Sequence, residues 1–173
     1  MKYDTLFLDR DGVLNRKIED GYVLLPQDIE ILPGIPEFLK WAHQAFRQII
    51  VVTNQRCIGR RMIELANIEA INQVINEKTG KFISSFFMCP HLDEDNCSCR
   101  KPKNGLFLAA AERYAIDFKN SWMVGDSETD LVPAKALMMS TVFISQKNST
   151  FADVTLNSTA DLITTFRALN QTK

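Results

Sequence analysis

The chain has 173 residues, room for one domain of ordinary size. Apolar residues at 46% and charged residues at 24% are close to the soluble globular average and exclude wholesale disorder. Twenty Lys and Arg against 21 Asp and Glu leave −1, so no global positive field would recruit nucleic acid or an anionic membrane. The opening Met1-Lys2-Tyr3-Asp4 reaches Asp9 too soon for a secretory apolar core, and no uncharged apolar run approaches about 18 residues. The expectation is a cytosolic monomer with neither membrane nor nucleic acid as partner.

In chain order, the first element is the apolar run Thr5-Leu6-Phe7-Leu8, which stops at Asp9. Ile35, Phe38, Leu39, Ala42 and Phe46 then recur at helical spacing, with Pro36 suited to a first turn. Ile49-Ile50-Val51-Val52 reads as a second strand, ending at Thr53-Asn54. Ile68, Ile71 and Ile75 form a second stripe, stopped by Gly80. A third strand runs from Phe82 to Met88, and Leu106, Ala109, Ala110 and Tyr114 make a third stripe. Trp122-Met123-Val124 is a fourth strand. Leu131, Ala134 and Met138 continue as a helix, and Pro133 requires it to start near Glu128–Asp130, with the ring in the first turn. Thr141-Val142-Phe143-Ile144 and Asp153-Val154-Thr155-Leu156 are the fifth and sixth strands. Ser158 with Asp161 resembles a capping box before a last helix through Leu162, Ile163, Phe166 and Leu169.

Strands that are apolar at consecutive positions suit a sheet covered on both faces. Their alternation with helices predicts a Rossmann-like, doubly wound α/β fold with a mainly parallel sheet, spanning 1–173 as one domain. No long insertion suggests a large cap. In such sheets, ligands bind at the carboxyl ends of the strands.

Asp9-Arg10-Asp11-Gly12 follows the first strand directly. Carboxylates at i and i+2 of extended chain point the same way, roughly 6.6 Å apart along it. Unpaired they would repel, and a divalent cation resolves the conflict. Gly12 allows a tight turn away from the sheet. The fourth strand also ends in an acid, Val124-Gly125-Asp126, with Asp130 one helical turn further on. Hard oxygen ligands from two strand ends suit Mg²⁺. Asp130 alone is read equally well as a helix cap.

A second constellation is softer. Cys89-Pro90-His91 and Cys97-Ser98-Cys99 gather three of four cysteines and one of two histidines into residues 89–99. Cys-x-His and Cys-x-Cys joined by a short loop offer four ligands to a tetrahedral ion, for which Zn²⁺ is the expectation. Without export, disulfides are disfavoured. Cys57 stands apart as a small buried residue, and His43, within the first amphipathic helix, is given no role.

Phe7-Leu8-Asp9-Arg10-Asp11-Gly12-Val13-Leu14-Asn15 resembles the first motif of the haloacid-dehalogenase-like phosphatases. Val52-Thr53-Asn54-Gln55 resembles their second, Arg100-Lys101-Pro102 their third, and Val124-Gly125-Asp126-Ser127-Glu128-Thr129-Asp130 their fourth. The resemblance implies that Asp9 attacks phosphorus and that Asp11 gives and takes the proton. It further implies that Asp9, Asp126 and Asp11, the last through its backbone carbonyl, hold Mg²⁺. The Thr53 hydroxyl, backbone donors near Asn54 and the Lys101 ammonium would receive charge on the phosphoryl oxygens.

The zinc arrangement running into Arg100-Lys101-Pro102 resembles the branch of that family acting on heptose bisphosphate or histidinol phosphate. Asp20-Gly21-Tyr22-Val23 resembles the segment placed beside the sugar, and Arg100 would fork onto a second phosphate. Asn54, Gln55, Arg56 and Ser127 complete the expected substrate contacts. The implied substrate is D-glycero-D-manno-heptose 1,7-bisphosphate, losing its 7-phosphate, with histidinol phosphate as the alternative. The second motif departs from the family pattern, since Arg56 replaces a small residue and Cys57 a glycine. Lys103-Asn104-Gly105-Leu106 likewise stands where Pro-Gly-Met is common. A zinc-knuckle nucleic-acid-binding module is the alternative of another class, and the balanced charge and strand-end acids count against it.

Overall fold

Successive side chains of a strand leave on opposite faces, so a strand buried throughout must be covered twice. Leu6, Phe7 and Leu8 have no solvent exposure. In the computed structural model, which describes residues 3–171, they lie on β1 (Tyr3–Leu8). The other strands are β2 (Phe46–Asn54), β3 (Ser85–Cys89), β4 (Trp122–Gly125), β5 (Ser140–Ile144) and β6 (Val154–Leu156). The helices are α1 (Ile35–Ala45), α2 (Arg56–Gly59), α3 (Leu65–Lys78), α4 (Gly105–Arg113), α5 (Glu128–Ala136) and α6 (Leu162–Gln171). All five strand pairings are parallel, in the order β3-β2-β1-β4-β5-β6. This is the doubly wound α/β arrangement expected.

Leu6, Leu8, Ile49, Val51 and Val124 cluster with apolar residues of α1, α3 and α6. Phe7, Ile50, Val52 and Met123 cluster with those of α4 and α5. The two clusters are the two faces of one sheet. Among the described residues, no helix is long and apolar enough to cross a membrane.

Several ends differ from the sequence pattern. Phe46 closes the first apolar stripe, yet it opens β2 with no connecting loop, because its ring packs with Tyr3, Trp41 and Phe166. The third strand begins at Ser85 rather than Phe82, whose ring instead meets that of His43 at 5.0 Å. Met138 falls outside α5: it has a left-handed φ of 63° and is exposed. α5 does open at Glu128, and Pro133 falls in its second turn rather than its first. The Ser158 hydroxyl caps a 3₁₀ turn (Thr159–Asp161) ahead of α6, and the reciprocal capping box lies at α5 instead. Cys57 sits fully buried in α2, outside the positive-φ residues, so replacing a glycine there brings no strain.

Candidate active site

The crossovers wind in opposite directions on the two sides of β1, so a crevice opens where β1 and β4 end. A cavity of about 530 Å³ occupies it, lined among others by Asp9, Asp11, Thr53, Lys101 and Asp126. Asp9 follows β1, Thr53 lies near the end of β2, and Asp126 follows β4.

Lys101 is the hub. Its buried ammonium has three protons and meets three acceptors: Asp130 Oδ1 at 2.6 Å, the Val52 carbonyl at 2.7 Å and Asp9 Oδ1 at 3.0 Å. Burial alone would lower its pKa, but Asp130 and Asp9 outweigh burial and hold it above the ordinary value. Asn54 fixes the backbone of Lys101 from both sides, donating Nδ2 to its carbonyl at 3.0 Å and accepting its N–H on Oδ1 at 3.1 Å. Asn54 therefore positions Lys101, although it also lines the cavity.

Asp9 Oδ1 accepts from the Arg10 backbone N–H at 2.7 Å as well as from Lys101. Both partners use Oδ1, which leaves Oδ2 for a ligand. Thr53 Oγ1 accepts from Gln55 Nε2 at 2.9 Å, so its own proton is available to an oxygen in the cavity.

Asp126 carries the clearest sign of a missing partner. Its Oδ2 receives Lys17 Nζ at 3.2 Å, whereas its buried Oδ1 has no donor among the described residues. Burial raises the Asp126 pKa, the charge of Asp9 adds to this, and Lys17 opposes it. Gly12, at φ 95°, lets the first loop pass tightly, since a Cβ there would fall 2.3 Å from Asp126 Oδ2. Ligand oxygens of Asp9, Asp126 and Asp130 lie within 4.8 Å of one another. Three carboxylates faced by Lys101 and Lys17 leave a surplus negative charge, which together with the orphaned oxygen fits a hard divalent cation.

Asp130 resolves the choice between cap and site by serving both. Its Oδ2 accepts the Ser127 backbone N–H at 3.1 Å while its Oδ1 holds Lys101. Burial pushes this carboxyl upward, against Lys101.

Asp11 departs from expectation. Its carboxylate is not beside that of Asp9 in the acidic group; Arg10, fully buried, grips it from Nη2 at 2.9 and 3.0 Å. Asn15 Nδ2 and Gln55 Nε2 add bonds of 2.9 and 2.8 Å. The chain bends at Arg10, between the two acids, so the i, i+2 alignment does not apply. Any Mg²⁺ contact from Asp11 falls to its backbone carbonyl. Gln55 was expected to touch substrate, but it is buried behind Asp11 and spends its amide on Asp11 and Thr53.

Cys89, at the end of β3, brings the soft cluster to the same edge of the sheet. Its Sγ lies 3.6 Å from that of Cys97 and 3.1 Å from that of Cys99, and the latter two are 3.5 Å apart. His91 Nδ1 is 3.6 Å from Cys89 Sγ and 3.2 Å from Cys99 Sγ. A tetrahedron with bonds of about 2.3 Å has edges of about 3.8 Å, and disulfides need about 2.05 Å. The four atoms therefore fit a zinc ion, and all four cysteines are free thiols. Burial and the Cys99 contact push the Cys89 thiol up to about 12. At Cys97 desolvation also acts upward, but the Arg100 N–H and neighbouring thiols bring it down to about 7.

The cavity is also lined by Tyr22, which Arg56 and Arg60 contact, and by Arg100, Asp20, Gly21, Val23 and Ser127. Lys17, Arg60 and Arg10 are the residues that motif reading left out. Lys17 and Arg60 belong to no periodic pattern, and Arg10 lay inside a quoted motif without a partner being visible.

Residues 3–137 match the family model for haloacid dehalogenase-like hydrolases. The chain belongs to that family. Several curated relatives bear the name D-glycero-beta-D-manno-heptose-1,7-bisphosphate 7-phosphatase, among them one from Helicobacter pylori (strain ATCC 700392 / 26695) and one from Haemophilus ducreyi. The one from Helicobacter pylori is 39% identical over 132 residues, covering 74% of this chain and 75% of the relative. The one from Haemophilus ducreyi is 33% identical over 176 residues, covering 92% and 96%. Among solved structures, the D,D-heptose 1,7-bisphosphate phosphatase from B. bronchiseptica, complexed with magnesium and phosphate, superposes with a TM-score of 0.85. It is 27% identical, with both chains covered completely. The match to that phosphatase thus extends over β6, beyond the residues of the family model.

Proposed function

We propose that the chain is a Mg²⁺-dependent phosphatase that removes the 7-phosphate from D-glycero-D-manno-heptose 1,7-bisphosphate through an aspartyl-phosphate on Asp9. The observation that carries this reading is the meeting of Asp9, Lys101 and the unpartnered Asp126 Oδ1 at the strand ends. The names of the relatives supply the sugar. Mg²⁺ bound by Asp9, Asp126 and the Asp11 carbonyl would let an anionic nucleophile approach an anionic phosphate.

Asp9 Oδ2 attacks phosphorus and the bond to the sugar oxygen breaks, with Asp11, turned from its Arg10 contact into the cavity it lines, delivering a proton to that oxygen. Water then attacks the acyl phosphate, gives its proton to Asp11, and releases Asp9 and inorganic phosphate. Lys101 and the Thr53 hydroxyl stabilise the equatorial oxygens. Arg100 and Tyr22 also line the cavity, and the phosphate that does not react would lie against them. A Zn²⁺ ion held by Cys89, His91, Cys97 and Cys99 belongs to the same proposal. Four protein ligands leave no position for water, so its part is to order the loop that leads into Arg100 and Lys101.

The test compares kcat/KM for heptose bisphosphate, histidinol phosphate and p-nitrophenyl phosphate, with and without Mg²⁺, in the wild type and Asp9→Asn. The bisphosphate is expected to be preferred and turnover to require Mg²⁺. Asp9→Asn should retain less than about a tenth of the activity, as loss of a nucleophile requires. A preference for histidinol phosphate would overturn the sugar, and an active Asp9→Asn would overturn the nucleophile.

A further inference from the structure

Arg56 occupies a position where a small residue is expected, and its contacts are specific. Its Nε donates to the Tyr22 hydroxyl at 2.6 Å, and its Nη1 lies 3.6 Å from Asp93 Oδ2. The other oxygen of Asp93, Oδ1, receives Nε of Arg100. A single carboxylate from the Cys/His loop thus bridges two guanidinium groups on the cavity wall. Arg60 adds a third cation there, 5.9 Å above the Tyr22 ring. Arg100 Nη1 is buried and has no acceptor among the described residues. Asp93 itself is 65% exposed.

We infer that Asp93 stands in for the non-reacting phosphate of the substrate, occupying the Arg56–Arg100 pair until a phosphate group displaces it. Arg56 is then a specificity-determining residue of this chain. The inference rests on the proposed function and deepens it by naming what discriminates a bisphosphate from a monophosphate.

The charges favour the exchange. A phosphate monoester carries about −1.5 to −2 with three acceptor oxygens, against one charge and two oxygens for a carboxylate. It can engage both guanidinium forks and still reach the unpartnered Arg100 Nη1. The exposed Asp93 pairs hold weakly, since solvent and salt screen them. A ligand without a second phosphate gains nothing by displacing Asp93 and meets a wall already partly neutralised. The competing carboxylate therefore tempers affinity for the bisphosphate, and discrimination arises from the guanidinium pair that only a second phosphate can claim.

Asp93→Asn removes the charge and keeps the shape. KM for heptose bisphosphate should fall two- to fivefold, about what one exposed ion pair is worth, with the change falling on KM. Arg56→Ala should raise the same KM and narrow the preference over p-nitrophenyl phosphate. An unchanged or higher KM in Asp93→Asn would overturn the inference, because Asp93 would then merely brace the two arginines. A thermal melt matching wild type checks the fold, and Asp93→Ser replaces the variant if it does not match. If wild type hydrolyses p-nitrophenyl phosphate but not heptose bisphosphate, the proposed sugar falls while the exchange stays testable. It is then read from inhibition of that turnover by fructose 1,6-bisphosphate and by fructose 6-phosphate. Asp93→Asn should tighten the first selectively, and equal effects on both would overturn the exchange.

Discussion

Lys101 is buried among Asp9, Asp130 and the Val52 carbonyl, so its removal strands charges that cannot reach water. Breaking a buried pair by deleting one partner costs about 3–5 kcal/mol. Lys101→Met keeps most of the stem, and urea unfolding should show a loss of that size. A variant as stable as wild type would mean that the ammonium compensates nothing. Lys101 was legible in the sequence because it stands in a compact basic motif, as Asp9 and Asp126 were because each follows an apolar strand. Arg10 and Lys17 were not. Arg10 bonds Asn72, 62 positions away, and Lys17 bonds Asp126, 109 positions away. Pairing at such separations leaves no local periodicity to read. Asp11 stood in a quoted motif, but its orientation depends on the buried Arg10 between the loop and α3, and Gln55, expected on the substrate, braces Asp11 instead.

The zinc-type loop shows how an element between two secondary structures can be read from residue type alone. Four soft ligands at short spacing left few alternatives, whereas the ends of α1 and α5 were set by tertiary contacts that periodicity does not contain. Phe46 follows the helical stripe in sequence but joins β2, because the aromatic cluster with Tyr3 and Phe166 claims it. The loop also carries a functional consequence. Gly105, which opens α4, has space only for hydrogen, since a Cβ there would lie 2.4 Å from the Ser98 carbonyl. Disordering residues 89–99 therefore disturbs both α4 and the Arg100–Lys101 segment. Metal-binding energy is folding energy in such a loop. Chelation or Cys97→Ser should lower Tm by more than the roughly 2–4 °C that 1 kcal/mol moves a chain of this size, and raise KM in the same preparation. A chelated protein whose three loop thiols titrate freely while Tm and KM stay put would refute the structural role.

At the scale of the whole molecule, the acids of the site come from separate parts of the sheet. Asp9 follows β1, whereas Asp126 and Asp130 lie beyond β4. β1 and β4 are neighbours, so their ends meet only when the sheet is complete. In the unfolded chain Asp9 is more than a hundred residues from Asp126 and Asp130, and the three bind a divalent cation far more weakly. Mg²⁺ should therefore stabilise the native state by linkage, by about 2.7 kcal/mol at a hundredfold excess over its dissociation constant. Tm should climb with MgCl₂ and level off logarithmically, beyond the shift that NaCl of equal ionic strength produces by screening. Asp126→Asn replaces the orphaned oxygen's carboxylate with a neutral amide and should abolish most of the Mg²⁺-specific rise while leaving the NaCl response. Its melting point without Mg²⁺ should not fall below that of wild type, because the substitution relieves the surplus negative charge between Asp9 and Asp126. A wild-type melting curve that responds identically to the two salts would mean that the strand-end carboxylates do not share a cation.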